Sequence, residues 1–239
     1  MRKFLSILAI SFFALANSIG ATTLDIKHLD KKQQGIITIA AFTASGNIEK
    51  LNVALNEGLD AGLTINEIKE VLIQMYAYSG FPRSLNGINA FKVVLDDRQS
   101  KGIKDEVGRE ASPISSDINK DEYGARVRAD LIGSKTIPAP SGYQLFVPTI
   151  DTFLKEHLFT DIFARDILDY KTRELSTISA LASLRGTAAQ LRSHLNISMN
   201  VGFTKEALED FVKVIEINVG EQEAKIAKET LDGVLNSRK

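Results

Sequence analysis

Residues 59–82 read LDAGLTINEIKEVLIQMYAYSGFP, and this stretch decides the fold. Gly62 is placed as a helix stop, Thr64 followed by Glu67 forms a capping box that opens the next helix, and Gly80 interrupts the chain again. Between these signals, apolar residues recur at the three- and four-residue spacing of a buried helix face. The stretch therefore predicts an amphipathic helix that is bounded by turns at both ends.

The same signals return about 140 residues later, where residues 199–220 read MNVGFTKEALEDFVKVIEINVG. Residues 29–46 resemble residues 168–185, and residues 51–98 resemble residues 191–238 after the insertion of a single residue. Shared helix stops and starts in one register indicate a duplicated helical unit more strongly than shared apolar positions alone. We expect an all-α protein in which two copies of this unit pack as a pseudo-dimer.

The remaining sequence divides the chain into four expected parts: a signal peptide at 1–21, a first unit at 22–98, a linker at 99–149 and a second unit at 150–239. In the first part, Arg2 and Lys3 precede a short apolar run and then small residues, which is the layout of a secretory signal peptide. The run is short for a permanent membrane anchor, which is the alternative interpretation. We expect a cleaved leader and a periplasmic or secreted mature protein without a stable membrane anchor.

Two compositional features exclude several classes of function. The 239 residues include no cysteine, so disulfides, thiolate metal sites and thiol nucleophiles are excluded. A formal net charge of -1, with both signs spread along the chain, argues against nucleic acid as a partner. The histidines are far apart and no phosphate-binding glycine loop is present, so we expect neither a metal nor a cofactor. Stability then has to come from helix packing and from subunit association.

Residues 39–86, with AYSGFPRSLN at 77–86, and residues 173–204, with QLRSH at 190–194, resemble the carboxymuconolactone decarboxylase family. The resemblance covers each repeat nearly end to end and also EHLF at 156–159. It implies an all-helical, alkylhydroperoxidase D-like unit that associates into rings, commonly hexamers, with active sites near interfaces. A chain with two such units would then form a homotrimer.

The family contains cofactor-free decarboxylases that act on a lactone carboxylate and thiol peroxidases that use a Cys-x-x-Cys pair. Ser79 stands where Tyr-Cys-Gly members carry cysteine, and a serine hydroxyl cannot undergo the thiol oxidation steps. Peroxidase activity is therefore not expected. The resemblance implies a decarboxylase or related lyase for a small carboxylated lactone or similar acid. The alternative is a non-catalytic exported scaffold or small-molecule-binding protein.

His194 is the first candidate catalytic residue, because the family carries histidine at the matching position and an imidazole suits proton transfer near neutrality. Glu174 lies on the apolar stripe of its helix, where a carboxylate can orient that imidazole; alternatively, it complements the helix dipole. The matching residues of the first repeat are Gly35 and Ala54. Only the second repeat thus carries both acid-base candidates.

The first repeat carries the complementary candidates: Ser79 as a further catalytic residue, and Arg83, Tyr78 and Asn86 as substrate-binding residues. Arg83 has the planar fork that binds a carboxylate, although it is equally interpretable as a solvated side chain. A Ser-His-Glu hydrolase is possible in principle, but Ser79 has no nucleophile-elbow context. We expect one composite site where the opposite repeats meet, with both sets of residues around a small-molecule substrate.

Overall fold

The computed structural model describes residues 25–238, and within that range the chain forms eleven α-helices and one π-helix, with no strand. The expectation of an all-α protein is confirmed. The predicted signal peptide lies outside the described residues. No helix within the described range is both long enough and apolar enough to cross a membrane.

The two repeats each form four helices in the same order. The first contributes α1 (Lys31–Ser45), α2 (Ile48–Asp60), α3 (Ile65–Ser79) and α4 (Phe81–Ser100). Three further helices, α5 (Lys120–Leu131), α6 (Tyr143–Phe146) and α7 (Pro148–Phe153), lead into a π-helix (Leu154–Ile162). The second repeat follows as α8 (Tyr170–Ser183), α9 (Ala188–Asn200), α10 (Lys205–Asn218) and α11 (Glu221–Ser237).

Equivalent local signals begin equivalent helices. The side chain of Thr64 accepts a hydrogen bond from the Glu67 N–H at the start of α3, and Thr204 caps α10 in the same way. The turns before these helices contain Gly62 and Gly202, with φ of 90° and 100°. A residue with a side chain is strained in that left-handed region, so the repeated glycines fix the repeated turns.

Both repeats share one hydrophobic core. The first helix of each unit, α1 or α8, is buried along most of its length, and the two pack against each other at the centre. Apolar residues of both units form one contiguous cluster around them. The two copies therefore interact as a pseudo-dimer within the chain.

The segment between the repeats has a separate apolar cluster, which we call the connector cluster. It unites α5, the π-helix and the residue after it, and its buried members are Val127, Leu131, Leu158, Phe159, Ile162 and Phe163. Gly124 of α5 lies against the backbone of Lys155, so closely that a Cβ at this glycine would overlap it. The two helices pack as a unit because this position has no side chain.

The spacing of apolar residues in this segment predicts one helix at 117–131 and another at 150–167. The first is observed as α5, which starts later because Asn119 is its cap and accepts from the Glu122 N–H. The second is divided between α7 and the π-helix. The Thr160 hydroxyl donates to the carbonyls of Lys120 and Lys155, the latter five residues earlier, and thus supports the wider helical turn.

Candidate functional site

The two predicted acid-base residues of the second repeat form a hydrogen-bonded pair. Nδ1 of His194 on α9 lies 2.8 Å from Oε2 of Glu174 on α8. An ionised carboxylate only accepts, so Nδ1 carries the proton of this bond and Nε2 remains for another partner. The imidazole side chain is 15% exposed, whereas the glutamate side chain is fully buried. The pair is thus a histidine at an accessible edge, oriented by a buried carboxylate.

Glu174 lies beyond the first turn of α8, so its carboxylate is not placed to complement the helix dipole. Its second oxygen, Oε1, is buried and has no hydrogen-bond partner among the described residues. A buried carboxylate oxygen without a partner is costly, and such costs concentrate at functional sites. The position therefore favours the functional interpretation of this residue over the dipole interpretation.

The first repeat contributes Tyr78 to the same place. Its ring meets the ring of His194 edge-on, with centroids 5.9 Å apart and an interplanar angle of 83°. The phenol oxygen is buried, no described group meets the geometry of a hydrogen bond to it, and the Thr177 hydroxyl is its polar neighbour. Burial, together with the nearby charge of Glu174, raises the pKa of Tyr78 well above its usual range. At neutral pH this hydroxyl is a protonated hydrogen-bond donor beside the histidine and carboxylate.

A buried polar network continues from Tyr78 along α3, one helical turn at a time. Gln74 donates from Nε2 to the carbonyl oxygen of Arg173 at 2.8 Å and to the Thr177 hydroxyl at 3.0 Å. One turn earlier, Glu70 accepts from Nη2 of Arg173 at 3.1 Å. These contacts join α3 of one repeat to α8 of the other directly beside Glu174, and they fix the relative position of Tyr78 and the acid-base pair.

Sequence reasoning missed this network. Glu70, Gln74 and Tyr78 follow one another at four-residue spacing, which places three polar groups on one face of α3. This four-residue spacing was the signal in the sequence that could have indicated a buried polar face, because a tyrosine at the end of the row is unusual for a solvated face. The partner Arg173 is about 100 residues away, and helical periodicity gives no indication of such a pairing.

The other residues predicted from the first repeat have different surroundings. The Ser79 hydroxyl donates to the backbone carbonyl of Met75 at 2.8 Å, within its own helix. Nη1 of Arg83 donates to the backbone carbonyl of Ala44 at the end of α1. Asn86 is exposed on α4. The chain thus brings Tyr78 to the acid-base pair, whereas Ser79 and Arg83 bond to the backbone.

The other two histidines also have carboxylate partners. Nδ1 of His157 in the π-helix lies 2.9 Å from Oδ2 of Asp161, four residues later. Nδ1 of His28 lies 3.1 Å from Oδ2 of Asp210 on α10. The side chains of these histidines are 46% and 48% exposed, respectively, so they differ from His194 chiefly in burial. Within residues 25–238, no group of three or more potential ligand side chains is arranged to hold a metal ion.

Comparison with known proteins gives two findings. The model of the carboxymuconolactone decarboxylase family matches residues 12–93 and 148–230, which together make up well over half of the chain. An uncharacterized protein of Methanocaldococcus jannaschii is 28% identical over 72 residues, which are 30% of this chain and 67% of that protein. The two separate family matches agree with the duplication, one containing Tyr78 and the other containing Glu174 and His194.

Proposed function

Since the chain belongs to the carboxymuconolactone decarboxylase family, we propose that it is a cofactor-free decarboxylase or related lyase for a small carboxylated lactone or similar acid. The observation that carries this proposal is the hydrogen bond between His194 and the buried Glu174. It supplies the protein group that the reaction needs most, a proton donor held in one orientation.

In this mechanism the bond from the substrate's α-carbon to its carboxylate breaks, and the electron pair moves into the substrate's conjugated carbonyl system as carbon dioxide leaves. His194 in its protonated form then delivers the Nε2 proton to the resulting carbanion equivalent. Glu174 stabilises the imidazolium before this transfer and keeps Nδ1 as a donor afterwards. Solvent returns one proton to the ring, so each turnover consumes one proton and releases one carbon dioxide.

Tyr78 gives the proposed site its second hydrogen-bond donor. A protonated phenol beside the imidazole can stabilise an oxygen on which negative charge develops as the carboxylate leaves. Because this residue comes from the opposite repeat, the site is composite, and neither unit alone would provide both groups. The buried bonds between α3 and α8 keep the phenol and the imidazole in a fixed relation.

A specific observation supports the second candidate, a non-catalytic small-molecule-binding protein or scaffold. A cation would bind and orient the substrate's carboxylate, and Arg83, the residue predicted for this role, is instead bonded to the carbonyl of Ala44. In the binding alternative, His194 and Tyr78 would recognise a ligand without reacting with it. An activity measurement separates the two candidates.

We also propose that the mature chain is exported and acts as a homotrimer. The proposal of export is supported by the leader-like sequence. The proposal of a trimer is supported by the two family units in the chain and by large apolar side chains at the surface of α6 and α7. Phe146 is 88% exposed and Leu145 is 66% exposed. Contiguous exposed apolar side chains are typical of surfaces that another subunit covers.

The test is to incubate the purified mature protein with 4-carboxymuconolactone and to measure carbon dioxide release. His194→Ala should reduce the rate about a hundred-fold or more, since a positioned general acid typically contributes that much. Glu174→Gln should also reduce the rate, because the amide would no longer stabilise the imidazolium. His157→Ala is the matched control, because it removes a histidine from an exposed histidine-carboxylate pair and should leave the rate unchanged.

Background release from both the unaltered protein and His194→Ala would reject the decarboxylase proposal. Saturable binding of the same compound, with no release and with weaker binding in His194→Ala, would then support the binding alternative.

A further inference from the structure

The duplication lets the surroundings of the site be compared with the same surface of the other repeat. In the first repeat this surface is an open groove of about 620 Å³ between α1, α2 and α10. Four of its lining residues, Gly35, Glu57, Ala61 and Asn218, correspond to Glu174, Ile197, Val201 and Tyr78. The surface that bears the candidate site in one half of the molecule is therefore left open by the described residues in the other half.

The equivalent surface of the second repeat is covered by the connector cluster. Tyr78, Ile197 and Val201 all pack against this cluster, and so does Tyr170 at the start of α8. Phe163 of the cluster lies beside Tyr170, with ring centroids 6.3 Å apart. We call the chain from α5 through the π-helix the connector. It lies over the phenol of Tyr78 and next to α9, the helix that carries His194.

We propose that α5 and the π-helix are a movable cover, which opens as one body and exposes to the substrate the surface that Tyr78 and His194 share. The nature of the admitted molecule rests on the proposed function, whereas the opening itself does not. The open groove of the first repeat supports the proposal, because within residues 25–238 a folded repeat carries this surface without a helical cover. Opening the cover therefore does not require either repeat to unfold.

The connector is built to move as one body. Charged contacts join its own helices: Lys155 lies 2.5 Å from Asp121 of α5, and Arg128 of α5 lies 2.6 Å from Asp151 of α7. The absence of a side chain at Gly124 brings the two backbones into direct contact. Most of its apolar and ionic stabilisation is therefore internal and persists when the connector leaves the repeats.

The base of the connector is pinned. Asp166, just after the π-helix, accepts from the backbone N–H of Ser112 at 2.9 Å and from its hydroxyl at 2.8 Å. Arg109 forms an ion pair with the same carboxylate at 3.0 Å. The segment before α5 is thereby joined to the segment after the π-helix. The segment around Ser112 and the segment around Asp166 are therefore held together at one point, and this point can serve as a hinge for rotation of the connector.

At the other end, a hydrogen bond ties the connector to the second repeat. Nδ2 of Asn200 at the end of α9 donates to the backbone carbonyl of Leu131 at 3.1 Å, and its Oδ1 accepts from Arg238 at 2.9 Å. The equivalent residue of the first repeat is Asp60, beside the open groove. An aspartate would keep the acceptor for Arg238, but it would place an oxygen against the Leu131 carbonyl. Asn200→Asp is therefore a nearly isosteric way to release the tie.

The experiment compares hydrogen exchange in the unaltered chain, Asn200→Asp and the reciprocal control Asp60→Asn, with all variants measured by mass spectrometry. In the unaltered chain, the peptides of α5 and the π-helix should exchange together and about a hundred-fold faster than those of α1 and α8, as expected for a sub-global opening. Asn200→Asp should accelerate connector exchange about ten-fold without changing α1 and α8. Asp60→Asn should leave connector exchange unchanged.

A separate experiment measures the accessibility of His194: the rate at which diethyl pyrocarbonate modifies each histidine. His194 should react more slowly than His28, which lies on another part of the surface, and Asn200→Asp should accelerate His194 alone by the same factor as connector exchange. Connector exchange no faster than that of α1 and α8 would overturn the proposal, because the connector would then be part of the global core. A His194 rate that does not follow connector exchange would also overturn it, whether or not the protein is a decarboxylase.

Discussion

The charge of Glu70 should be essential for the stability of the whole chain, and Glu70→Gln tests this. The glutamate side chain is 3% exposed and accepts from two guanidinium groups, Arg165 at 2.7 Å and Arg173 at 3.1 Å. The Arg173 side chain is fully buried. Glutamine keeps the shape and one acceptor oxygen, but it leaves a buried guanidinium without its counter-ion.

The expected cost follows from that burial. Desolvation lowers the pKa of Arg173, and the hydrogen bond and charge of Glu70 act in the opposite direction. Removing one partner of a buried ion pair typically costs about 3–5 kcal/mol, because the remaining charge stays desolvated. Glutamine still accepts a hydrogen bond, so we expect a loss of about 3 kcal/mol. With a urea dependence of about 3 kcal/mol per molar, the unfolding midpoint should fall by about 1 M.

Urea unfolding followed by circular dichroism measures this loss, and two further variants interpret it. Asp96→Asn removes a carboxylate from an exposed pair with Lys92, where the side chains are 61% and 74% exposed, and should cost less than about 1 kcal/mol. The double variant Glu70→Gln with Arg173→Met should recover part of the loss, because the fully buried guanidinium is gone and Arg165, which also loses its counter-ion, is 35% exposed to solvent. If Glu70→Gln costs no more than Asp96→Asn, the reasoning about the buried pair is refuted.

Two further predictions concern pH and assembly. Burial would raise the pKa of Asp210, but hydrogen bonds from Lys213 and from the backbone N–H groups of His28 and Lys27 outweigh it and lower the pKa from 3.8 to about 2. Because the pKa of Asp210 is lower in the folded state, its ionised carboxylate stabilises the fold fully above pH 3.8, and this stabilisation is lost as the pH falls through about 2. Asp210→Asn should therefore lower the free energy of unfolding by about 2 kcal/mol at pH 7 and by much less near pH 2, as measured by urea unfolding. Light scattering of the eluting protein should give the mass of about three chains, and Phe146→Glu should reduce it; a monomeric mass for the unaltered chain would contradict the proposed trimer.

The sequence was sufficient for the fold because the deciding signals are local. The cap at Thr64 and the glycine at Gly62 determine a helix start within a few residues, and their recurrence at Thr204 and Gly202 reveals the duplication without any knowledge of contacts. The connector was less predictable. Its π-helix depends on how Thr160 bonds to Lys120 of another helix, which is a tertiary contact and has no periodicity of its own.

The candidate site was predictable to the extent that its residues share a helix face or a local motif. Glu174 was identified because a carboxylate on an apolar stripe is unusual, and His194 because of the family resemblance. The predicted position of Arg83 near a substrate rested on its residue type alone, and the free carbonyl of Ala44 at the end of α1 is a partner that the sequence does not reveal. A helix end competes effectively for an arginine, since its last carbonyls lack partners within the helix.

The difference between the two repeats is fixed in the backbone as well as in the side chains. Gly35 and Gly58 allow α1 and α2 to approach closely: a Cβ on Gly35 would lie 3.2 Å from the Cα of Gly58. The corresponding residues of the second repeat are Glu174 and Ser198, both fully buried, so α8 and α9 leave room for side chains there. A side chain at position 35 would press on the Gly58 backbone and on Leu63, so these neighbours would have to shift by a few tenths of an ångström in a tightly packed core. Close packing of α1 and α2 at Gly35 thus disfavours a side chain at that position, and the first repeat contributes Tyr78, rather than a carboxylate, to the acid-base pair of the other unit.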